Sequence, residues 1–165
     1  MTKLAIIIAD NVESSIRTVS EDIARKLPNI YAVEIFSVKN NDENPADHIK
    51  PVFANFWKLK DYDIIHLHAA IPISLGILIR LLFRNVKIIS TEHDFGWKYF
   101  RHTLPKYKSM ILGLTLYYGR ICCHKNIYPS YSLFHYIHGN IEVNNSKGVV
   151  YNGIHDFVIN RKTSY

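Results

Sequence analysis

Two short segments place groups able to bind ligands or move protons at the ends of apolar runs. Asp63-Ile64-Ile65-His66-Leu67-His68 closes with two histidines two residues apart, a spacing that puts both side chains on one face of an extended strand. Thr91-Glu92-His93-Asp94 closes the next apolar run with a histidine between two carboxylates. An imidazole of ordinary pKa, roughly 6.5, can donate or accept a hydrogen bond near neutral pH, which suits contact with a hydroxyl or a phosphate. Three readings stand side by side. The histidines are structural and bonded to backbone; they bind a ligand, with Glu92 or Asp94 orienting one or accepting its proton; or His66, His68, His93 and Asp94 form a nitrogen and oxygen set for zinc.

These segments need strands behind them. Leu4 to Ala9, Tyr31 to Val38, Asp63 to Leu67 and Val86 to Thr91 are apolar and rich in β-branched residues, and Asn126 to Pro129 and Gly148 to Tyr151 are weaker runs of the same kind. Nearly continuous apolar content points to strands buried on both faces, as in a parallel sheet. Between them, helical spacing is read over Ser14 to Leu27, Phe53 to Lys60, Pro72 to Phe83, Lys106 to Gly119 and Tyr131 to His138, with Ser14 or Ser15 as a cap and Pro72 in a first turn. The alternation predicts an α/β fold: a Rossmann-like, doubly wound, mostly parallel sheet in a single three-layer domain. Ligands of such sheets bind beyond the carboxyl ends of the strands. That directs attention to Asp10 and Asn11 as well as to the histidine segments.

Size and composition agree with one domain. The chain has 165 residues, 48% hydrophobic and 21% charged, enough to bury roughly 70% of its unfolded surface. Its longest apolar stretch, from Ile71 to Phe83, contains Arg80 and falls short of the ~20 residues that cross a bilayer. The opening apolar run has six residues and no small-residue cleavage site, so it reads as a first strand rather than a signal peptide. Cys122 and Cys123 are adjacent, a poor arrangement for a disulfide or a metal knuckle, and a reducing cytoplasmic setting is expected. A formal charge of +6 favours anionic partners without choosing among them. Dinucleotide and triphosphate loops are missing, since Asp10-Asn11-Val12-Glu13-Ser14-Ser15 contains no glycine.

The order and spacing of several motifs resemble the amino-terminal domain of family-4-type retaining glycosyltransferases of the GT-B fold. They are Asp63 to His68 followed by Pro72, Lys87 to Asp94, Tyr128-Pro129-Ser130, and Val149-Val150-Tyr151-Asn152-Gly153-Ile154-His155. The resemblance implies an acceptor-side half that transfers a sugar from a nucleotide-sugar co-substrate to a lipid-linked or glycan acceptor. No cofactor is implied for this half alone. It implies that His93 serves near the reacting sugar, that Ser130 lies next to the crevice, and that His68 and Pro72 lie on the acceptor side. From their place at the strand ends, Asp94 joins His93 as a catalytic candidate, and Glu92, Asp10 and Asn11 join as substrate-binding candidates. The family's glycine-rich first loop is replaced, and only ten residues follow His155. Residues 1–155 are therefore expected to form the acceptor-side domain and 156–165 a tail or the start of a linker. The expected partner is a separate or missing donor-binding Rossmann-like domain, and a non-catalytic scaffold subunit is the alternative.

One further segment carries its own signal. From Phe95 through Ile141 there is no Asp or Glu, while Lys98, Arg101, Lys106, Lys108, Arg120 and Lys125 alternate with Trp97, Tyr99, Phe100, Tyr107, Tyr117 and Tyr118. Basic and aromatic residues together favour an anionic membrane surface, at the inner face of the cell membrane. The plainer reading is a solvated basic face over core aromatics. No RNA- or DNA-binding module is recognisable, so a nucleic-acid partner is not expected.

Overall fold

The computed structural model describes residues 1–10, 14–39, 48–93, 102, 104–139 and 147–150. Asn11, Asp94, Lys98, Arg101 and the tail from Tyr151 lie outside the described residues. Seven strands run β1 (Thr2–Asp10), β2 (Tyr31–Lys39), β3 (Ile49–Pro51), β4 (Ile64–His68), β5 (Lys87–Thr91), β6 (Lys125–Tyr128) and β7 (Lys147–Val149). The helices are α1 (Ser15–Lys26), a 3-10 helix (Phe53–Asp61), α2 (Ala70–Leu82), α3 (Lys106–Cys122) and α4 (Tyr131–His138).

The strands form one sheet in the order β3-β2-β1-β4-β5-β6-β7, and every adjacent pair is parallel. The winding reverses direction between β1 and β4, the switch point at which doubly wound sheets open a crevice. Alternation along β1 divides the core. Leu4, Ile6 and Ile8 pack with Ile16 and Ile23 of α1 and with Leu27 just beyond its end, while Ala5 and Ile7 join Ile65, Leu67, Ile73, Ile79, Ile88 and Leu116 on the side of α2 and α3. A sheet covered by helices on both faces needs apolar strands throughout, which explains the unbroken runs.

Local signals hold where they are strong. Ser14 caps α1, its Oγ accepting from the Arg17 N–H at 3.3 Å. α2 starts two residues before Pro72, whose missing N–H costs nothing in a first turn. β3 is absent from the sequence reading: three residues at a sheet edge, ending in proline, are too few to show a period.

Candidate active site at the carboxyl edge of β4 and β5

His66 and His68 project from the same face of β4 as Ile64, which packs on the α1 side. In the parallel register His66 lies opposite Ile89 and His68 opposite Thr91. This alignment converts two separate motifs into one chain of hydrogen bonds. Thr91 Oγ1 meets His66 Nε2 at 2.8 Å, His66 Nδ1 meets His68 Nε2 at 3.3 Å, and His68 Nδ1 meets His93 Nε2 at 3.2 Å. The His66 and His68 ring centroids are 4.1 Å apart, and His68 stacks on His93 at 5.4 Å. His68 is fully buried, whereas His93 is only half-buried and ends the series.

A line of neutral imidazoles has a direction, because each contact needs one N–H and one lone pair. If Thr91 donates to His66, the protons run toward His93, whose Nε2 accepts and whose Nδ1 carries the proton. If His93 donates from Nε2, every bond reverses and Thr91 accepts. His66 and His68 therefore couple the tautomer of His93 to the Thr91 hydroxyl. Burial is the main force keeping the pair neutral, with like charge from the neighbouring histidines second. The pKa of His66 is pushed down to about 4 and that of His68 well below its ordinary value.

Acid should consequently destabilise the protein. Both folded pKa values lie below the unfolded value of roughly 6.5, so the unfolded chain binds protons first as pH falls. This contribution is complete above that value and lost progressively below it, by about 3 kcal/mol at pH 4 for His66 alone. Urea unfolding at about pH 7 and about pH 4.5 should show a clear fall in midpoint. An unchanged midpoint would mean that the histidines are charged in the fold.

The turn out of β4 is strained. Ala69 caps α2 at φ 71° and ψ 172°, a region populated almost only by glycine. Its N–H donates to the Thr91 carbonyl at 3.0 Å and its carbonyl accepts from Ile73 at 3.1 Å, so the strain holds β4, β5 and α2 together beside His68. Ala69→Gly should relieve roughly 1 kcal/mol and raise Tm. A lower Tm would show that the methyl packs more favourably than the backbone is strained.

The remaining residues named from the sequence divide into several roles. Glu92 is 1% exposed and forms a bidentate ion pair with Arg120, whose Nε donates to Oε2 at 2.7 Å and whose Nη2 donates to Oε1. Arg120 thus leaves the proposed basic face for the interior. Ser130 caps α4, its Oγ accepting from the Leu133 N–H at 3.1 Å, which leaves the hydroxyl proton for a second partner. Asp10 ends β1 on the same edge of the sheet as His68. Sequence reasoning passed over Thr91, although its place at the end of a strand, in line with the end of the histidine strand, was a usable signal.

The zinc set read from the sequence includes Asp94, which lies outside the described residues. Among the described residues no group of three or more His, Cys, Asp or Glu is arranged to hold a metal. In the histidine line the lone pairs are directed at neighbouring rings instead of converging on one point. A groove of about 690 Å³ near Met1, Tyr31, Asp61 and Lys87 sits at the amino-terminal edge of the sheet, away from this chemistry.

Comparison with known proteins now decides the family. The sequence matches the model for Glycosyltransferase Family 4 over residues 11–156. This chain belongs to that family. The O-antigen biosynthesis glycosyltransferase WclY of Escherichia coli is 24% identical, the match covering 99% of this chain and 48% of that protein. The chain therefore spans about half the length of the curated relatives it matches. Among solved structures, Anabaena Alr3699/HepE in complex with UDP-glucose aligns with a TM-score of 0.68 at 13% identity, over 93% of this chain and 44% of that one. Sucrose-phosphate synthase (tll1590) from Thermosynechococcus elongatus aligns with a TM-score of 0.58 at 14% identity, over 96% and 93% of the two chains. The family-4 chain is thus a Rossmann-like α/β domain of the GT-B type, and its half-length coverage fits an amino-terminal half. Among its described residues no helix is long and apolar enough to cross a membrane.

Proposed function

We propose that this family-4 domain is the acceptor-side half of a glycosyltransferase that moves a sugar from a nucleotide-sugar donor to a lipid-linked acceptor at the cytoplasmic face of the membrane. The observation that carries the reading is the imidazole line ending at His93, on the carboxyl edge of β4 and β5, beside the switch point. A half-buried imidazole backed by two neutral ones, the nearer of them fully buried, is a preorganised partner for a hydroxyl near the reacting carbon. Asp94 and Asn11, next to His93 and Asp10 in sequence, are proposed to join this edge, together with Ser130. Glu92 acts indirectly: its ion pair with Arg120 anchors the end of β5 from which His93 extends. The donor-binding half, as a separate chain or the continuation of this one, is the proposed partner, and it would supply the grip on the nucleotide. The part played by the Escherichia coli relative in O-antigen biosynthesis supports an envelope glycan as the acceptor class.

The test is direct. The chain is co-expressed with a donor-binding half and incubated with membranes and a panel of labelled nucleotide sugars. A labelled lipid product that requires both halves is expected. Absence of product across the whole panel would favour a binding subunit without catalysis.

A further inference from the structure

α3 is built inside out for a surface helix. Its buried residues are Ser109, Leu116 and Gly119, and Gly119 lies so close to α2 that a Cβ there would meet the Ile73 carbonyl oxygen at 2.1 Å. Small side chains therefore dominate the inward face, where a globular protein ordinarily places its large apolar ones. The large ones point outward. Met110, Ile111, Leu114, Tyr117, Tyr118 and Ile121 are each between 52% and 61% exposed. At about 100° per residue they fall within an arc of about 120°, a continuous stripe along a helix ~25 Å long.

The charge beside the stripe has one sign. Lys106 and Lys108 are exposed in the first turn, one on each flank, and that turn holds no acidic residue. Cations at a helix N-terminus oppose the macrodipole, so helix stability does not account for them. The absence of Asp and Glu extends over residues 95–141. A two-fold pairing of this face with a second copy would bury apolar area but gain no charge complementarity, since neither copy of α3 carries an acid to meet Lys106 and Lys108 of the other.

We infer that the outward face of α3 seats on an anionic bilayer surface, its apolar stripe in the headgroup boundary and Lys106 and Lys108 on lipid phosphates. Tyrosines suit that boundary because the ring is apolar and the hydroxyl wet. A 17-residue helix of this kind lies in the membrane plane and does not span it. The inference goes beyond sugar transfer, since lipid binding needs neither the histidine line nor a donor.

The experiment sediments the full chain with vesicles of phosphatidylcholine alone and with vesicles of equal parts phosphatidylcholine and phosphatidylglycerol. Binding to the anionic vesicles is expected, weakening as salt rises. The double variant Lys106→Gln/Lys108→Gln should bind about thirtyfold less tightly. Ile111→Asp/Leu114→Asp should lose binding with its thermal melt unchanged, because both positions are exposed. Failure of the parent chain to sediment with anionic vesicles would overturn the inference, as would undiminished binding by the aspartate variant. A dimer in light scattering that the aspartate variant converts to monomer would assign the stripe to a second copy instead.

Discussion

His93→Ala is expected to reduce sugar transfer by at least about a hundredfold in the enzyme completed by its donor-binding half, with little change in folding stability. The size follows from what a positioned proton-transfer or hydrogen-bonding group contributes, roughly a hundredfold to ten-thousandfold. The small effect on stability follows from its place: His93 is the half-buried last ring of the imidazole line, and its truncation removes no core volume. The loss should fall on kcat, because a contact made to the reacting centre strengthens in the transition state. His68 gives the contrasting case. It is fully buried between two rings, so its replacement strands polar nitrogens on both sides and should cost stability as well as rate. Normal turnover by the His93→Ala enzyme would remove this residue from the active site and leave the histidine line a structural feature.

Arg120→Met should destabilise the domain by about 3–5 kcal/mol, because it leaves the Glu92 carboxylate buried without its principal cation. Glu92 is almost wholly enclosed and Arg120 largely so, their side chains being 2% and 14% exposed, so water cannot replace the guanidinium. Removing both charges is a different experiment. Glu92→Leu/Arg120→Met should recover most of the stability, since two apolar side chains of similar size need no desolvation. The backbone contacts around the pair survive in either case: the Glu92 N–H still donates to the Ile127 carbonyl at 3.0 Å, and the Arg120 carbonyl still accepts from the Asn126 amide at 3.2 Å. Urea titration of the two variants measures the difference directly. A single variant within about 1 kcal/mol of the parent would mean that the carboxylate is relieved some other way. Should the double variant recover stability but not transfer, the pair's role in anchoring the end of β5 beneath His93 would be separated from its role in folding.

The alternation of elements was legible because its causes are local. β-Branched apolar runs reveal buried parallel strands, serine before a helical period reveals a cap, and the observed strands at Tyr31–Lys39 and Ile64–His68 differ from the reading by a residue at their ends. The candidate edge was legible for the same reason: histidines that terminate apolar runs must sit where strands of a doubly wound sheet open to ligand. β3 escaped, having too few residues for any period, and so did the positive φ at Ala69, which a residue other than glycine gives no sign of adopting. Arg120 read as one more surface cation in a basic segment, because nothing within the helix reveals an acid 28 residues away.

By itself the sequence determined the order of strands and helices, the strand ends at which the candidate residues lie and the family's motif spacing, since all of these depend on neighbours along the chain. Tertiary structure decided which groups meet. Parallel register alone brings Thr91 and His93 to His66 and His68 across 25 residues, closes Glu92 on Arg120, and turns the small residues of α3 inward so that its large apolar side chains face out. Those outcomes depend on contacts between segments whose separation in sequence carries no record of their distance in space, and so no local pattern could announce them.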